Sequence, residues 1–172
     1  IYNQFLANYM TSVAVMGFKE ANVGGRYDQI LMNAQKFLKS IQKELEESDP
    51  AHGGFGYDGK KRPDLSNTNF AVEALIAAGI PKDDPAIQKA LKFISRSQLL
   101  PGEHNDLPFA KKAEKEDIGG FLYNPLEADK LPAGGLRSLG GMTYGGLKSF
   151  LYAGGGKEDP RVKGAGEWDR HH

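Results

Sequence analysis

The sequence predicts an all-α protein built from about six helices in three hairpin pairs, each pair burying a face that its neighbour covers. Three observations carry that expectation. Two helix starts nearly repeat each other: Lys82-Asp83-Asp84-Pro85-Ala86-Ile87-Gln88-Lys89-Ala90 and Lys157-Glu158-Asp159-Pro160-Arg161-Val162-Lys163-Gly164-Ala165. Upstream of each runs a short small-residue helix led by a threonine, Thr68 or Thr143, and Phe93 and Trp168 both fall 25 residues beyond it. Thr11 leads to Phe37 after 26. Two glycine–aromatic tags, Gly53-Gly54-Phe55-Gly56-Tyr57 and Gly119-Gly120-Phe121-Leu122-Tyr123, complete the pattern. No useful length of chain alternates with the two-residue period of a strand.

The elements follow in order. Tyr2, Phe5, Leu6, Tyr9, Met10, Val13 and Met16 recur at three- and four-residue steps, one face of a helix that ends near Ala21-Asn22. Ile30, Leu31, Ala34, Phe37, Leu38, Ile41 and Leu45 give a second helix of the same period, and residues 44–64 form a Gly- and Pro-punctuated loop. The third helix runs from about Ser66 to Ala78, with Gly79 as a left-handed stop. Asp84 reads as an N-cap with Pro85 in the first helical position, opening a fourth helix that reaches about Gln98. Residues 99–138 are a long connection, of a length that is often functional when it carries no regular structure. A fifth helix spans about Met142 to Tyr152, and Asp159-Pro160 starts a sixth.

The threonine-led helices of the second and third units are rich in Ala and Gly, while their partners carry Lys, Arg and Glu. Small residues allow close approach and charged ones face water, so an inner and an outer layer are expected. The first unit follows this less closely, because its leading helix carries large aromatics. Unit boundaries fall at about 1–57, 58–123 and 124–172.

The chain has 172 residues, with 22 Lys plus Arg balanced by 22 Asp plus Glu. Basic residues alternate with acids, so the stripe a nucleic-acid or acidic-lipid partner needs is missing. No apolar run approaches the ~18 residues of a membrane span. The absence of cysteine excludes disulfides, thiolate zinc sites and cysteine nucleophiles, and leaves the compartment open. Ile1 opens the chain inside an amphipathic pattern. The expectation is a fragment or processed product whose apolar end faces are covered by further repeats or by a second subunit.

Residues 62–98, and again 135–149, resemble the prenyltransferase and squalene-oxidase repeats of the terpenoid cyclase and protein prenyltransferase superfamily. The carrying segments are Arg62-Pro63-Asp64-Leu65-Ser66-Asn67-Thr68-Asn69-Phe70-Ala71 and Gly135-Leu136-Arg137-Ser138-Leu139-Gly140-Gly141-Met142-Thr143-Tyr144-Gly145-Gly146-Leu147-Lys148-Ser149. The resemblance, over about residues 5–170, implies an α/α toroid, a ring of helical hairpins around a central cavity, of which this chain is part. The family's glutamine–tryptophan motif has counterparts in Gln42 and Gln98, with Phe55 and Phe121 in place of the tryptophan and with longer loops between.

The resemblance also implies where chemistry would sit. Class II cyclases of the family use an Asp-x-Asp-Asp-Thr motif at the start of an inner helix, where a carboxylic acid must stay protonated. Here that segment is Asp64-Leu65-Ser66-Asn67-Thr68, with Ser and Asn at the two central acids, and the third unit has Leu139-Gly140-Gly141-Met142-Thr143. Asp64 and Ser66 have the commoner use of capping a helix. The family's zinc set of Asp, Cys and His cannot be assembled from His52, His104 and no cysteine, so no catalytic residue, metal or cofactor is assigned. Asp64, Asn67, Tyr57, Tyr123 and Tyr144 are the candidate ligand contacts, the aromatics being able to line a cavity or, more commonly, to wedge between helices. The expected function is a non-catalytic binding or interaction module with an apolar concave face for an isoprenoid or extended ligand. The alternative is part of a class II terpene or squalene cyclase-like enzyme whose acid lies outside this chain.

Overall fold

The computed structural model describes residues 4–132 and 135–172; Tyr2, placed by the sequence on the first apolar face, lies outside them. Among the described residues there are six α-helices: α1 (Ala7–Glu20), α2 (Asp28–Ile41), α3 (Leu65–Ala77), α4 (Pro85–Ser97), α5 (Gly140–Tyr152) and α6 (Pro160–His171). Extended pairing among them is limited to two isolated bridges, Gln98 with Phe121 and Gly102 with Asn105. The protein is all-α.

The helices make two layers. α3 lies between α1 and α5 in one row; α2, α4 and α6 stand behind, each against the helix before it, and α4 also reaches α5. Chain chemistry explains the assignment. α3 buries Leu65, Ala71, Val72, Ala74 and Leu75, small or branched apolar residues suited to a helix flanked by two others. α4 buries Ile87, Leu91 and Ile94 on one stripe and turns Lys89 and Lys92 outward to Glu44 and Glu47. The starts of α4 and α6 are as read from sequence: Asp84 Oδ1 accepts the Ala86 N–H at 2.9 Å, and Asp159 Oδ1 the Arg161 N–H at 2.9 Å, each with proline in the first turn. α3 and α5 both stop at a left-handed glycine, Gly79 (φ +96°) and Gly154 (φ +95°). In each case the following N–H reaches back to the last turn, Ile80 to Leu75 at 3.0 Å and Gly155 to Phe150 at 2.8 Å.

Successive units are clasped by the same set of contacts. Gln42, which ends α2, donates its amide to the Gly53 and Ala86 carbonyls, both at 2.8 Å. Gln98, which ends α4, donates to the Gly119 and Arg161 carbonyls, both at 2.9 Å. Each glutamine thus joins a tag to the first turn of the next outer helix. A side chain on Gly53 would overlap the Lys89 carbonyl, and one on Gly119 the Gly164 carbonyl. A Cβ on Gly54 would stand 2.7 Å from the Phe93 ring, and one on Gly120 2.8 Å from Trp168 Nε1. The tags then stitch the inner row. Thr68 Oγ1 accepts the Phe55 N–H, and Thr143 Oγ1 the Phe121 N–H, both at 3.0 Å. The Tyr57 carbonyl accepts from Asn8 N, and the Tyr123 carbonyl from Leu65 N, both at 2.9 Å.

Phe93 is fully buried and Trp168 nearly so, as a shared register demands, whereas Phe37 is only half-buried. Phe37 stands five residues before Gln42, as Phe93 does before Gln98; the tag of the preceding unit covers the Phe93 ring at Gly54 and Trp168 at Gly120, and among the described residues no such tag lies ahead of α1 and α2. The connection over 99–138 is less bare than its sequence suggests. It holds short 3₁₀ turns at Pro108–Lys112, Lys115–Asp117 and Pro125–Lys130, and a second small core around Leu99, Phe109, Leu122 and Leu136. Buried Arg96 anchors both loops: it pairs twice with Asp106 at 2.9 Å and donates to the Glu47 and Asp49 carbonyls. Phe5, in the turn Gln4–Leu6 just before α1, and Tyr9, Met10 and Val13 on α1 remain exposed.

Candidate functional site

Four of the five candidate contacts gather at the N-terminus of α3. Asp64 is its N-cap: Oδ1 accepts the Asn67 backbone N–H and Oδ2 the Asn67 side-chain amide, each at 2.8 Å. The Tyr123 hydroxyl also reaches Asp64, and Tyr57 in turn reaches Tyr123. Burial pushes the Asp64 carboxyl above its ordinary range, against the pull of the bonds from Asn67 and Tyr123. Burial, then the Tyr57 hydroxyl and the Asp64 charge, hold the Tyr123 phenol well above its usual value. Asp64 and Asn67 are buried, and Asn67 Oδ1 has no hydrogen-bond partner among the described residues. The tag phenylalanines fill the interior, with Phe55 and Phe121 at 0 % exposure, while Tyr57 and Tyr123 stay near 40 % with their hydroxyls on this cluster. With its oxygens engaged by Asn67 and Tyr123, Asp64 closes the helix end and joins it to both tags.

Tyr144 stands apart from those four. It projects from α5, 69 % exposed, over a groove of about 220 Å³ between α3 and α5. Phe70, Met142, Tyr144 and Tyr152 supply the apolar walls, and Ser66, Asn69, Glu73, Lys148 and Ser149 the polar part. Lys148 Nζ donates to both Glu73 oxygens at 2.8 and 2.9 Å, and this pairing raises the lysine's proton affinity. Ser149 Oγ donates to Asn69 Oδ1 at 2.9 Å. Tyr9 meets Phe70 edge-on at 5.0 Å between ring centres, so the apolar surface continues from the groove onto α1.

Asn69, Glu73, Lys148 and Ser149 were not singled out from sequence. Glu73 and Lys148 lie at the same distance beyond Thr68 and Thr143, and that shared rung of two adjoining inner helices is the signal that finds them. His52 hydrogen-bonds the Leu45 carbonyl at 2.6 Å, and His104 sits 3.4 Å from Glu103. Among the described residues no three His, Cys, Asp or Glu side chains form a group able to hold a metal ion, and no helix is long and apolar enough to cross a membrane. Compared with known protein families, curated proteins and solved structures, the chain matches none.

Proposed function

We propose that this chain is a sector of an α/α toroid of the kind found in terpenoid cyclases and protein prenyltransferases, acting as a binding module whose inner helices receive an apolar, isoprenoid-like ligand. The observation that carries the reading is the groove between α3 and α5, where Phe70, Met142, Tyr144 and Tyr152 present apolar surface beside one neutralised ion pair. Largely apolar concavities with a few placed polar groups are the usual form of small-molecule sites. The repeated clasps support the toroid part of the reading, because they join each unit to the next through one set of contacts.

Titration of the ¹⁵N-labelled chain with farnesol tests the proposal. Saturable shifts confined to residues around Phe70, Met142 and Tyr144 are expected. Tyr144→Ala should weaken binding severalfold without unfolding the chain, since the ring is mostly exposed, and Ile118→Ala, away from the groove, should leave it unchanged. Shifts elsewhere, or none, would sink the reading.

A further inference from the structure

We infer that this groove selects a neutral ligand whose apolar body ends in a hydrogen-bond acceptor, and that the side-chain amide of Asn69 reads that end. The inference rests on the binding-module reading and adds to it the chemistry of the ligand's polar end.

The Asn69 amide is oriented by its neighbours. Its oxygen is taken by the Ser149 hydroxyl at 2.9 Å, which turns Nδ2 toward Gly145 on α5. Among the described residues Nδ2 donates to nothing, although an amide nitrogen carries two donors. Any side chain at position 145 would overlap Nδ2 and stand 3.3 Å from Asn69 Cγ. Glycine is unfavourable in a helix interior; here its missing side chain makes room for the amide beside α5, and Asn69 and Gly145 both line the groove.

Charge sets the rest of the selectivity. Lys148, the cation of the groove, gives hydrogen bonds to both oxygens of Glu73. A ligand carboxylate would therefore find no unpaired cation to offset the cost of its desolvation. A ketone, ester or amide carbonyl takes the Asn69 N–H without that cost. The space of about 220 Å³ exceeds the ~150 Å³ apolar cavity that accepts a single benzene ring, so a substituted ring or short branched chain fits.

Three probes of nearly one shape test this on the ¹⁵N-labelled chain: acetophenone, α-methylstyrene (the carbonyl oxygen replaced by CH₂) and benzoate. Acetophenone is expected to bind roughly three- to tenfold more tightly than α-methylstyrene, the effect of one neutral hydrogen bond. It should also move the Asn69 side-chain NH₂ signals, with benzoate the weakest of the three. Asn69→Asp keeps an acceptor for Ser149 but replaces the NH₂ by oxygen. It should abolish the ketone preference while α-methylstyrene still binds. Equal affinities for ketone and alkene in the wild-type chain, with groove residues shifting in both, overturn the inference and leave the binding module standing. A ketone preference that survives Asn69→Asp overturns it as well. If none of the three shifts a groove residue, both proposals fall. The wild-type comparison decides the question even if the variant does not fold.

Discussion

Replacing Gly53 or Gly119 by alanine tests the inter-unit clasp most directly, because each glycine is required twice over. Both have positive φ, +79° and +92°, which costs an L-residue about 1–2 kcal/mol. Alanine recovers ~0.4–1 kcal/mol by restricting the unfolded chain, so backbone conformation alone leaves a net loss of about 1 kcal/mol. Gly79 isolates that quantity: its φ is +96° and a Cβ there would meet nothing within 4 Å. At Gly53 the new methyl would run into the Lys89 carbonyl and stand 2.9 Å from Lys89 Cβ; at Gly119 it would meet the Gly164 carbonyl. Those obstacles are helix backbone and cannot rotate away, so relief requires the outer helix to move, with an overpacking cost of ~1–3 kcal/mol. Retreat of α4 or α6 would also stretch the glutamine bonds to Ala86 or Arg161. Gly53→Ala and Gly119→Ala should therefore lose about 2–4 kcal/mol, against about 1 for Gly79→Ala. Urea unfolding followed by far-UV circular dichroism measures all three, with the midpoint shift at constant slope giving the difference. If the three substitutions cost the same, close approach of the outer helices is not what fixes glycine in the tags.

Two further outcomes follow from burial and charge. Phe93→Ala and Trp168→Ala should each cost about 3–5 kcal/mol, and Phe37→Ala distinctly less because its ring is half-buried; equal losses in urea titrations would show that the tag cover over Phe93 and Trp168 adds nothing. The Asp64 carboxyl holds its proton to higher pH in the folded chain than the ordinary 3.8, so its contribution to stability is greatest below that value and is lost as pH rises through the raised folded value. Asp84 and Asp159, held low chiefly by Lys39 and Arg161, run the other way and lose their contribution as pH falls through their depressed values. The stability of wild type minus that of Asp64→Asn should thus decline from pH 4 upward to a plateau, and a difference that is flat or rising with pH would refute the assignment.

What could be read from the residues was whatever depends on a few neighbours. Asp84-Pro85 and Asp159-Pro160 fix helix starts by local sterics and one side-chain bond, and both appear as read. Gly79 is likewise a local stop. The paired tags flagged repetition, but their partners lie in helices distant in sequence, so the reason for two adjacent glycines came only with the positions of Lys89, Phe93, Gly164 and Trp168. The Asp64 cluster was half legible. A helix-start Asp followed by Ser and Asn announces a cap, whereas the Tyr123 hydroxyl arrives from a tag that packs two units together. The groove was least legible. Asn69 and Ser149 are unremarkable small polar residues until two inner helices lie side by side, and Tyr144 alone drew notice by its aromaticity.

The clasp is indifferent to how much chain it encloses. Gln42 reaches its tag carbonyl across 11 residues and Gln98 across 21, yet both end on equivalent acceptors, a tag glycine and the first turn of the next outer helix, at nearly the same distances. Doubling a loop costs only about 0.6 kcal/mol of closure entropy, so the segments after each outer helix can lengthen while the stack keeps its spacing. The longer of the two has used that freedom to fold a small apolar cluster of its own around Phe109. Sequence inserted between glutamine and tag should therefore diversify the rim of the stack and leave the inner helices undisturbed.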